Sequence, residues 1–325
     1  MGDNRKPSKH SLLKTLAYDP TDAVMGIDTN GEVFHTPLSK GPHWLVAGQT
    51  GSGKSVFMNA LMASVMYHST PQELKIMTID PKKVEFAAYK DLPFCPIDPV
   101  TDMNDAYGLL SYLCWEMDRR YEILQKINVR NIEDYNQKYE ELKEKNKLPQ
   151  IIAEEGRMAY IICIIDEYAE LTMVEKTVED LIIRLAQKAR AAGISLLIAT
   201  QRPSADIISS TIKANVPARI GLKTTDSMNS MIIIDEPGCE KLAGYGDSII
   251  KMTDGSMIRV QGPFISDDEL ETIFSELRDK WGKPTPIDFK TICIENDLAD
   301  WAENYDDDVP IEERHVKKKK GMGFF

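Results

Sequence analysis

Eight consecutive residues that follow a short apolar run have types and spacing suited to binding phosphate groups. They match the pattern Gly-x-x-x-x-Gly-Lys-Ser and are Gly48, Gln49, Thr50, Gly51, Ser52, Gly53, Lys54 and Ser55. Glycines let backbone N–H groups turn toward phosphate oxygens, and a helix that starts there adds partial positive charge. The pattern predicts that the Lys54 ammonium group reaches the β- and γ-phosphates of a nucleoside triphosphate and that the Ser55 hydroxyl group binds Mg²⁺. A glycine-rich loop that matches by chance is the alternative, which the neighbouring strand and helix patterns disfavour.

Two further apolar runs end in polar residues. Residues 160–165 lead into Asp166 and Glu167, and residues 194–199 lead into Thr200 and Gln201. Buried parallel strands read as continuous apolar runs, and their carboxyl ends meet at the edge of the sheet where ligands bind. Asp166 is therefore predicted to support Mg²⁺, and Glu167 to polarise the attacking water. Gln201 is predicted to contact the γ-phosphate or that water, although a polar residue that merely ends a strand is an equally good interpretation of Gln201.

Two groups of charged residues have no clear chemistry on their own. Arg184, Lys188 and Arg190 share a predicted helix, and taken alone they are typical of a solvated basic face. Asp80-Pro81-Lys82 ends another predicted strand and points to the same edge of the sheet. The residues by themselves give neither group a role.

The elements that must position these residues alternate between strand and helix. The predicted strands are residues 44–47, 75–79, 160–165, 194–199 and 219–222, and the predicted helices are residues 55–67, 104–125, 178–192 and 207–213. This alternation predicts an α/β fold with a mainly parallel sheet covered by helices on both faces. Residues 131–157 are charged and predict an exposed helical insertion or loop, and Ser266 is predicted to cap a closing helix.

The chain is predicted to have three parts. Residues 1–40 form a polar arm and a short strand pair around a turn at Asn30-Gly31. Residues 41–283 form the main α/β domain, and residues 284–325 form a flexible acidic and basic tail. The tail ends in four lysines, at 317–320, followed by Gly321-Met322-Gly323-Phe324-Phe325. This end predicts either a frayed or folded-back terminus or a short motif that docks on a protein partner.

Composition excludes some classes of protein. The 325 residues carry a net charge of −12, which counts against a protein that simply coats DNA, because such proteins are basic. The charge does not exclude a ring in which only the inner loops are positive. No apolar run approaches the roughly 18–20 residues that cross a bilayer. The five cysteines are scattered and predict reduced thiols, so we expect a cytoplasmic protein without a membrane anchor.

From about Glu32 to Phe274 the sequence resembles the motor domain of the FtsK/SpoIIIE family of DNA translocases. Besides the phosphate-binding pattern, the matching stretches include Ile79-Asp80-Pro81-Lys82, Glu116-Met117-Asp118-Arg119-Arg120-Tyr121, Asp166-Glu167-Tyr168-Ala169-Glu170-Leu171, Lys188-Ala189-Arg190-Ala191-Ala192-Gly193, Ala199-Thr200-Gln201-Arg202-Pro203 and Ile212-Lys213-Ala214-Asn215-Val216-Pro217. Such a series in this order is far more specific than one pattern alone. The stretch from Ala199 to Pro203 favours the DNA-pumping branch of these proteins.

The resemblance implies a RecA-like P-loop ATPase that uses ATP and Mg²⁺ and forms a homohexameric ring around double-stranded DNA. Hydrolysis would take place at subunit interfaces, and the residues predicted above for the nucleotide site keep their roles. By the same resemblance Arg190 is the arginine finger that acts on a neighbouring subunit, which replaces its interpretation as part of a solvated face. Arg202 and Lys213 fall where the family approaches the DNA backbone.

The sequence also departs from the family. The family usually reads Ser-Lys-Ile-Asp-Ser-Arg-Thr-Ile-Leu-Asp where this chain has residues 227–235, and Met231 stands in place of the arginine. If those residues touch phosphates, the channel grips DNA less strongly or Lys223 and Lys251 compensate. The family's membrane helices and winged-helix module are missing from this sequence, so we expect a short form from a phage, plasmid or other mobile element.

A protein-secretion ATPase of the same superfamily is the alternative function. The acidic charge and Met231 favour it, whereas the stretches that contain Arg202 and Lys213 disfavour it. A regulator that binds ATP without turnover is a second alternative, and the intact pair Asp166-Glu167 argues against it.

Overall fold

A nine-stranded mixed sheet forms the centre of the molecule. The computed structural model describes residues 19–174 and 177–298. The strands are β1 (Asp22–Asp28), β2 (Val33–Pro37), β3 (His43–Ala47), β4 (Leu74–Ile79), β5 (Tyr160–Ile165), β6 (Ile194–Thr200), β7 (Ala218–Leu222), β8 (Asp247–Lys251) and β9 (Met257–Gln261). Their order in the sheet is β2-β1-β9-β8-β7-β3-β6-β5-β4.

The sheet is parallel where the phosphate-binding pattern lies and antiparallel toward one edge. Strands β7, β3, β6, β5 and β4 pair in parallel, whereas β8, β9, β1 and β2 are added antiparallel. The sequence pattern predicts neither β8 nor β9, although they flank Asp254-Gly255, a common hairpin turn signal. The parallel half confirms the predicted fold class.

Ten α-helices lie in the described part of the chain and cover both faces of the sheet. They are α1 (Lys54–His68), α2 (Met103–Lys126), α3 (Ile132–Glu144), α4 (Gln150–Glu155), α5 (Tyr168–Val174), α6 (Thr177–Lys188), α7 (Ser210–Asn215), α8 (Ser227–Ile234), α9 (Asp267–Trp281) and α10 (Phe289–Glu295). Alternate residues of β3 serve the two faces. Trp44 and Val46 pack with α1 and α9, and Leu45 packs with α2 and α6.

The charged segment 131–157 is helical but is not the exposed surface that its composition predicts. Helices α3 and α4 bury Ile132, Tyr135 and Ile152 in the core shared with α1. Tyr139 and Leu142 pack partly buried against the same core. The apolar residues recur at helical spacing, so one stripe of each helix faces inward while the abundant charges remain on the outside.

The two ends of the described chain also pack against the main sheet. The predicted N-terminal strand pair forms β1 and β2 at one edge, and β1 packs on α1. Helix α10 lies within the predicted tail, and its Phe289 and Cys293 are buried beside α2. The predicted arm before residue 19 and the lysines and phenylalanines at the end of the tail lie outside the described residues. The docking motif therefore stays a prediction.

Among the described residues, between 19 and 298, no helix is both long enough and apolar enough to cross a bilayer. All five cysteines fall in this part of the chain, and each is a buried free thiol.

A buried histidine in β3 should make stability depend on pH. His43 is fully buried, and its Nδ1 accepts a hydrogen bond from the backbone N–H of Leu196 at 3.1 Å. Burial lowers the pKa of His43 from 6.5 to about 3, because a charged ring would lose its water. The unfolded chain therefore binds a proton at this residue between those two values and the folded chain does not.

We expect the free energy of unfolding to fall on acidification through this range, by up to about 1.4 kcal/mol per pH unit from His43 alone. His43→Asn keeps a hydrogen-bond acceptor for Leu196 but cannot take up the proton. Urea unfolding at several pH values between 7 and 4 should therefore show a smaller loss of stability in the variant than in the wild type. Equal slopes for the two proteins would contradict the assignment.

Candidate functional site

The phosphate-binding pattern forms the loop between β3 and α1, at the carboxyl edge of the parallel strands. The backbone N–H of Gln49 donates to the carbonyl oxygen of Lys223 at 2.8 Å, and that of Ser52 donates to the carbonyl oxygen of Gln49 at 3.0 Å. Gly53 has a φ of 93°, and a Cβ atom there would lie 2.5 Å from the backbone nitrogen of Gly246. Only glycine fits this position. Helix α1 begins at Lys54 without a side-chain cap, so its first N–H groups face the loop.

A buried ion pair joins this loop to β5. The Lys54 Nζ atom donates to Asp166 Oδ1 at 2.8 Å and to the Asp166 carbonyl oxygen at 3.0 Å. Lys54 is 3% exposed and Asp166 is 1% exposed. Charges removed from water this completely require a partner, so the pair fixes the start of α1 against the end of β5.

The Glu167 carboxylate is also buried and is surrounded by donors from two other strand ends. Its Oε1 atom accepts from the Thr200 hydroxyl group at 2.6 Å, and both oxygens lie 3.2 Å from the backbone nitrogen of Gln201. The Lys82 ammonium group lies 3.3 Å from Glu167 Oε2 and 3.5 Å from Glu170 Oε1. Burial disfavours the charge of Lys82, but the attraction of the two carboxylates outweighs burial and raises the pKa of Lys82. These contacts fix the direction in which Glu167 points.

The loop that carries Lys82 is shaped by Asp80. The buried Asp80 carboxylate accepts hydrogen bonds from five backbone N–H groups, those of Lys82, Lys83, Val84, Glu85 and Phe86. The sequence gives Asp80-Pro81-Lys82 no role, and it predicts none for Thr200. Two sequence signals mark them: each lies at the end of an apolar run, at the edge where Glu167 also lies, and each belongs to a stretch that resembles the family.

Gln201 contacts the phosphate-binding loop directly. Its Oε1 atom accepts a hydrogen bond from the Thr50 hydroxyl group at 2.8 Å. Both residues line a cleft of about 390 Å³ together with Gln49, Pro203, Thr224, Thr225 and Asn229. The structure thus brings Lys54, Asp166, Glu167 and Gln201 to one edge of the sheet, as the sequence predicts.

The donor atoms at this edge fit a magnesium ion bound with a triphosphate. Asp166 Oδ2 is buried, and within the described residues neither it nor Ser52 Oγ has a hydrogen-bond partner. Ser55 lies in the first turn of α1, beside Lys54. Hydroxyl and carboxylate oxygens are the ligands that Mg²⁺ takes from proteins in such sites.

Arg190 lies at the opposite edge of the sheet. It is exposed in the turn between α6 and β6, because the helix ends at Lys188 and not at residue 192 as predicted. The Arg120 guanidinium group supports this turn by donating to the carbonyl oxygen of Ala192 at 2.8 Å, and the backbone N–H of Ile132 donates to that of Ala191 at 2.9 Å. The turn that carries Arg190 is therefore held in place by hydrogen bonds, but it is remote from the phosphate-binding loop of its own chain.

The two residues predicted to approach DNA have different surroundings. Arg202 is exposed just after β6. The Lys213 ammonium group on α7 lies 2.6 Å from Asp235 Oδ1. Burial opposes the charge of Asp235, but the cations around it outweigh burial and hold its pKa well below the ordinary range; they are Lys213, Lys251 and Arg219. Lys251 therefore belongs to a cluster that carries more positive than negative charge.

Comparison with known proteins places this site in a family. A sequence model of the FtsK/SpoIIIE family matches residues 13–205. The chain belongs to the FtsK/SpoIIIE family. It is 45% identical over 267 residues to the DNA translocase FtsK of Streptococcus pneumoniae, covering 82% of this chain and 34% of that protein. It is 43% identical over 279 residues to FtsK of Pasteurella multocida, covering 82% and 30%. The chain thus spans about a third of the length of the curated relatives it matches.

Solved structures that superpose on this FtsK/SpoIIIE protein have the same fold. The pCW3 conjugation coupling protein TcpA, solved as a monomer with ATPγS, superposes with a TM-score of 0.68 and 28% identity, covering 84% of this chain and 73% of that one. The cytoplasmic domain of the type VII secretion ATPase EccC of Thermomonospora curvata gives a TM-score of 0.72 with 23% identity, covering 86% and 35%. The second likeness shows the fold alone. Together they confirm the predicted P-loop fold.

The buried pair at the phosphate-binding loop leads to a stability prediction. Lys54→Met leaves the Asp166 carboxylate buried without a cation, so we expect the free energy of unfolding without nucleotide to fall by about 3–5 kcal/mol. The double variant Lys54→Met with Asp166→Asn should recover part of this loss, because no charge is then buried.

Urea unfolding of the four proteins in the double-mutant cycle measures both effects. Lys145→Met, at an exposed lysine directly after α3, is the control and should stay within about 0.5 kcal/mol of the wild type. If the two single losses simply added in the double variant, the pair would not be coupled as the geometry requires.

Proposed function

We propose that the chain is an ATP-dependent translocase of double-stranded DNA that works as a hexameric ring and hydrolyses ATP at its subunit interfaces. The observation that carries the proposal is the division of the catalytic groups between the two edges of the sheet. Lys54, Asp166, Glu167 and Gln201 meet at one edge, and the exposed Arg190 lies at the other. Membership of the FtsK/SpoIIIE family supports the same reading.

The groups at the carboxyl edge suit the hydrolysis of a phosphoanhydride. Lys54 would exchange part of its contact with Asp166 for the β- and γ-phosphates, where its charge offsets the negative charge that grows on the transferring group. Glu167 would accept the proton of the attacking water, and the donors Thr200, Gln201 and Lys82 hold that carboxylate in place. Mg²⁺ bound through Ser55 and Asp166 would neutralise phosphate charge.

The position of Arg190 supports hydrolysis between subunits. Arg190 precedes β6 and Gln201 follows it, and the seven residues of β6 separate them by roughly 20 Å. One side chain cannot cover that distance, so Arg190 can reach a γ-phosphate only in a neighbouring copy. A ring that places this edge of one subunit against the loop edge of the next meets that requirement.

The substrate is proposed to be duplex DNA. The curated relatives are DNA translocases, and this chain presents the exposed Arg202 after β6 and the partly exposed Lys213 on α7. Lys251 and the buried Arg219 add positive charge behind Lys213. Phosphate groups would compete with Asp235 for Lys213. Such contacts attract the DNA backbone without reading its sequence, and the net charge of −12 is then carried by other surfaces. Free thiols and a nucleotide substrate support a cytoplasmic site of action.

One observation favours a second candidate, the translocation of a polypeptide. Met228 and Met231 are exposed on α8, and Lys213 Nζ lies 3.4 Å from the carbonyl oxygen of Met231. Flexible apolar side chains beside the cation cluster suit a peptide better than a phosphate backbone. Under this candidate hydrolysis would respond to a peptide and would be indifferent to DNA.

Hydrolysis between subunits is tested by mixing two inactive variants. Glu167→Gln should keep ATP binding and slow turnover by on the order of 100-fold, since the water loses its base. Arg190→Ala should bind ATP and also fail to turn over. In a mixed ring, an interface that takes its site from the Arg190→Ala subunit and its finger from the Glu167→Gln subunit is intact, so steady-state ATPase activity should return.

A mixture of Ser55→Ala and Glu167→Gln is the matched control. Both changes lie in the same half of the interface, and no combination restores it. Absence of recovery at every ratio of Arg190→Ala to Glu167→Gln would count against a finger supplied by the neighbour.

The substrate is tested by measuring ATPase activity with and without long duplex DNA. DNA should stimulate turnover, and its affinity should fall steeply between about 0.05 and 0.2 M salt. Lys213→Ala should lower the slope of log affinity against log salt by about 1, equally for all DNA sequences. Arg219 and Lys251 still pair with Asp235 in this variant, so the fold should be retained.

Lys145→Ala, which removes an exposed lysine far from α7, should leave the response to DNA unchanged. An active ATPase that ignores DNA at low salt would shift the assignment to polypeptide translocation.

A further inference from the structure

A tyrosine beside the phosphate-binding loop is exposed and held in an unusual backbone conformation. Tyr245 is 88% exposed and has a φ of 53°, and it stands between Gly244 and Gly246, which both have a φ of 89°. A bulky residue seldom adopts the left-handed region, and such residues concentrate at ligand sites. Neither burial nor the local backbone preference of tyrosine accounts for this ring.

The backbone of this tyrosine is clamped to the phosphate-binding loop. The N–H of Gly246 donates to the carbonyl oxygen of Ser52 at 2.9 Å, and a Cβ atom on Gly53 would lie 3.2 Å from the Tyr245 Cα atom. On the other side, the Gln261 side-chain amide donates to the carbonyl oxygen of Tyr245 at 2.9 Å. The backbone of Tyr245, from which the ring extends, is therefore fixed relative to the groups that would hold the phosphates.

The position of Tyr245 along the sheet decides which part of a nucleotide it would meet. Asp166, Glu167 and Gln201 follow β5 and β6, on one side of β3. Tyr245 precedes β8, whose first residues lie beside the carboxyl end of β7, on the opposite side of β3. A triphosphate whose γ-phosphate lies with Glu167 and Gln201 must leave the loop toward the other side. The nucleoside end of the molecule is then the part near Tyr245.

We infer that Tyr245 is the platform on which the base of the bound nucleotide stacks. The inference rests on the proposed function, because it requires a nucleoside triphosphate at the phosphate-binding loop. An exposed aromatic ring offers a flat apolar face to a purine, and stacking of this kind contributes substantially to base binding. Tyr245 is 88% exposed, so the faces of its ring are open for a base to cover.

Two substitutions distinguish an effect of the Tyr245 ring on binding from an effect of the loop that carries it. Tyr245→Asn removes the ring, and asparagine tolerates the left-handed backbone, so the Gly246 contact to Ser52 is retained. Tyr245→Phe keeps the ring. Tyr67→Ala, which removes another exposed ring far along α1, is the control. Binding of ATPγS and of inorganic tripolyphosphate is measured by calorimetry for all four proteins, and assembly is measured by sedimentation.

We expect Tyr245→Asn to weaken ATPγS binding by roughly 5- to 100-fold. The affinity of Tyr245→Phe and of Tyr67→Ala for ATPγS should stay within about twofold of the wild type, since both variants keep an aromatic ring at position 245. Tripolyphosphate has no base, so its affinity should be the same in all four proteins.

Several results would overturn the inference. If the wild type binds ATPγS and Tyr245→Asn binds it equally well, the ring is not a base platform, while the proposed function stands. An equal loss for ATPγS and tripolyphosphate would mean that the loop was disturbed and not the stacking. A changed assembly with unchanged ATPγS affinity would make Tyr245 a contact between copies. Failure of the wild type to bind either ligand would overturn the proposed function, and this inference with it.

Discussion

The buried pair of Lys54 and Asp166 is the contact on which the arrangement of the site depends. Each charge is almost wholly removed from water, so neither can be stable there without the other. Lys54 starts α1, which follows β3, and Asp166 directly follows β5. Strand β6 lies between β3 and β5 in the sheet. Their attraction therefore holds the phosphate-binding loop over the ends of three parallel strands. Glu167 is the next residue after Asp166, and its surroundings at the ends of β4 and β6 follow from the same alignment.

Different kinds of contact hold the loops at the carboxyl edge and at the amino edge of the parallel sheet. At the carboxyl edge, the Asp166 carboxylate joins the loop after β3 to the end of β5, and the Glu167 carboxylate joins the loop after β4 to the end of β6. The Asp80 carboxylate shapes the loop after β4 itself. At the amino edge, Arg120 from α2 and Ile132 from α3 hold the turn that presents Arg190. The segment 131–157, whose composition suggests a solvated insertion, thus supports a residue that the proposed mechanism places in a neighbour's active site.

Charge is unevenly distributed over the molecule. The net charge is strongly negative, yet three cations gather around Asp235 next to α7, and one of them is Lys213. Asp235 keeps these cations close together in the absence of another anion, at the cost of occupying them. Under the proposed function, a phosphate backbone that approaches this surface would have to displace or share that carboxylate. The strength of such a contact would then depend on Asp235 as much as on the lysines.

The sequence alone determined the elements whose signal is local. Continuous apolar runs predicted β3, β5 and β6, and the glycine pattern predicted the phosphate-binding loop, because buried parallel strands and tight phosphate loops restrict residue types at adjacent positions. The tertiary structure decided which donors surround Glu167, that Lys213 is paired with Asp235, and that Tyr245 stands beside Gly53. Each of these contacts joins residues far apart in the chain. Local composition and periodicity do not record such contacts, since they arise only when the strands have taken their order in the sheet.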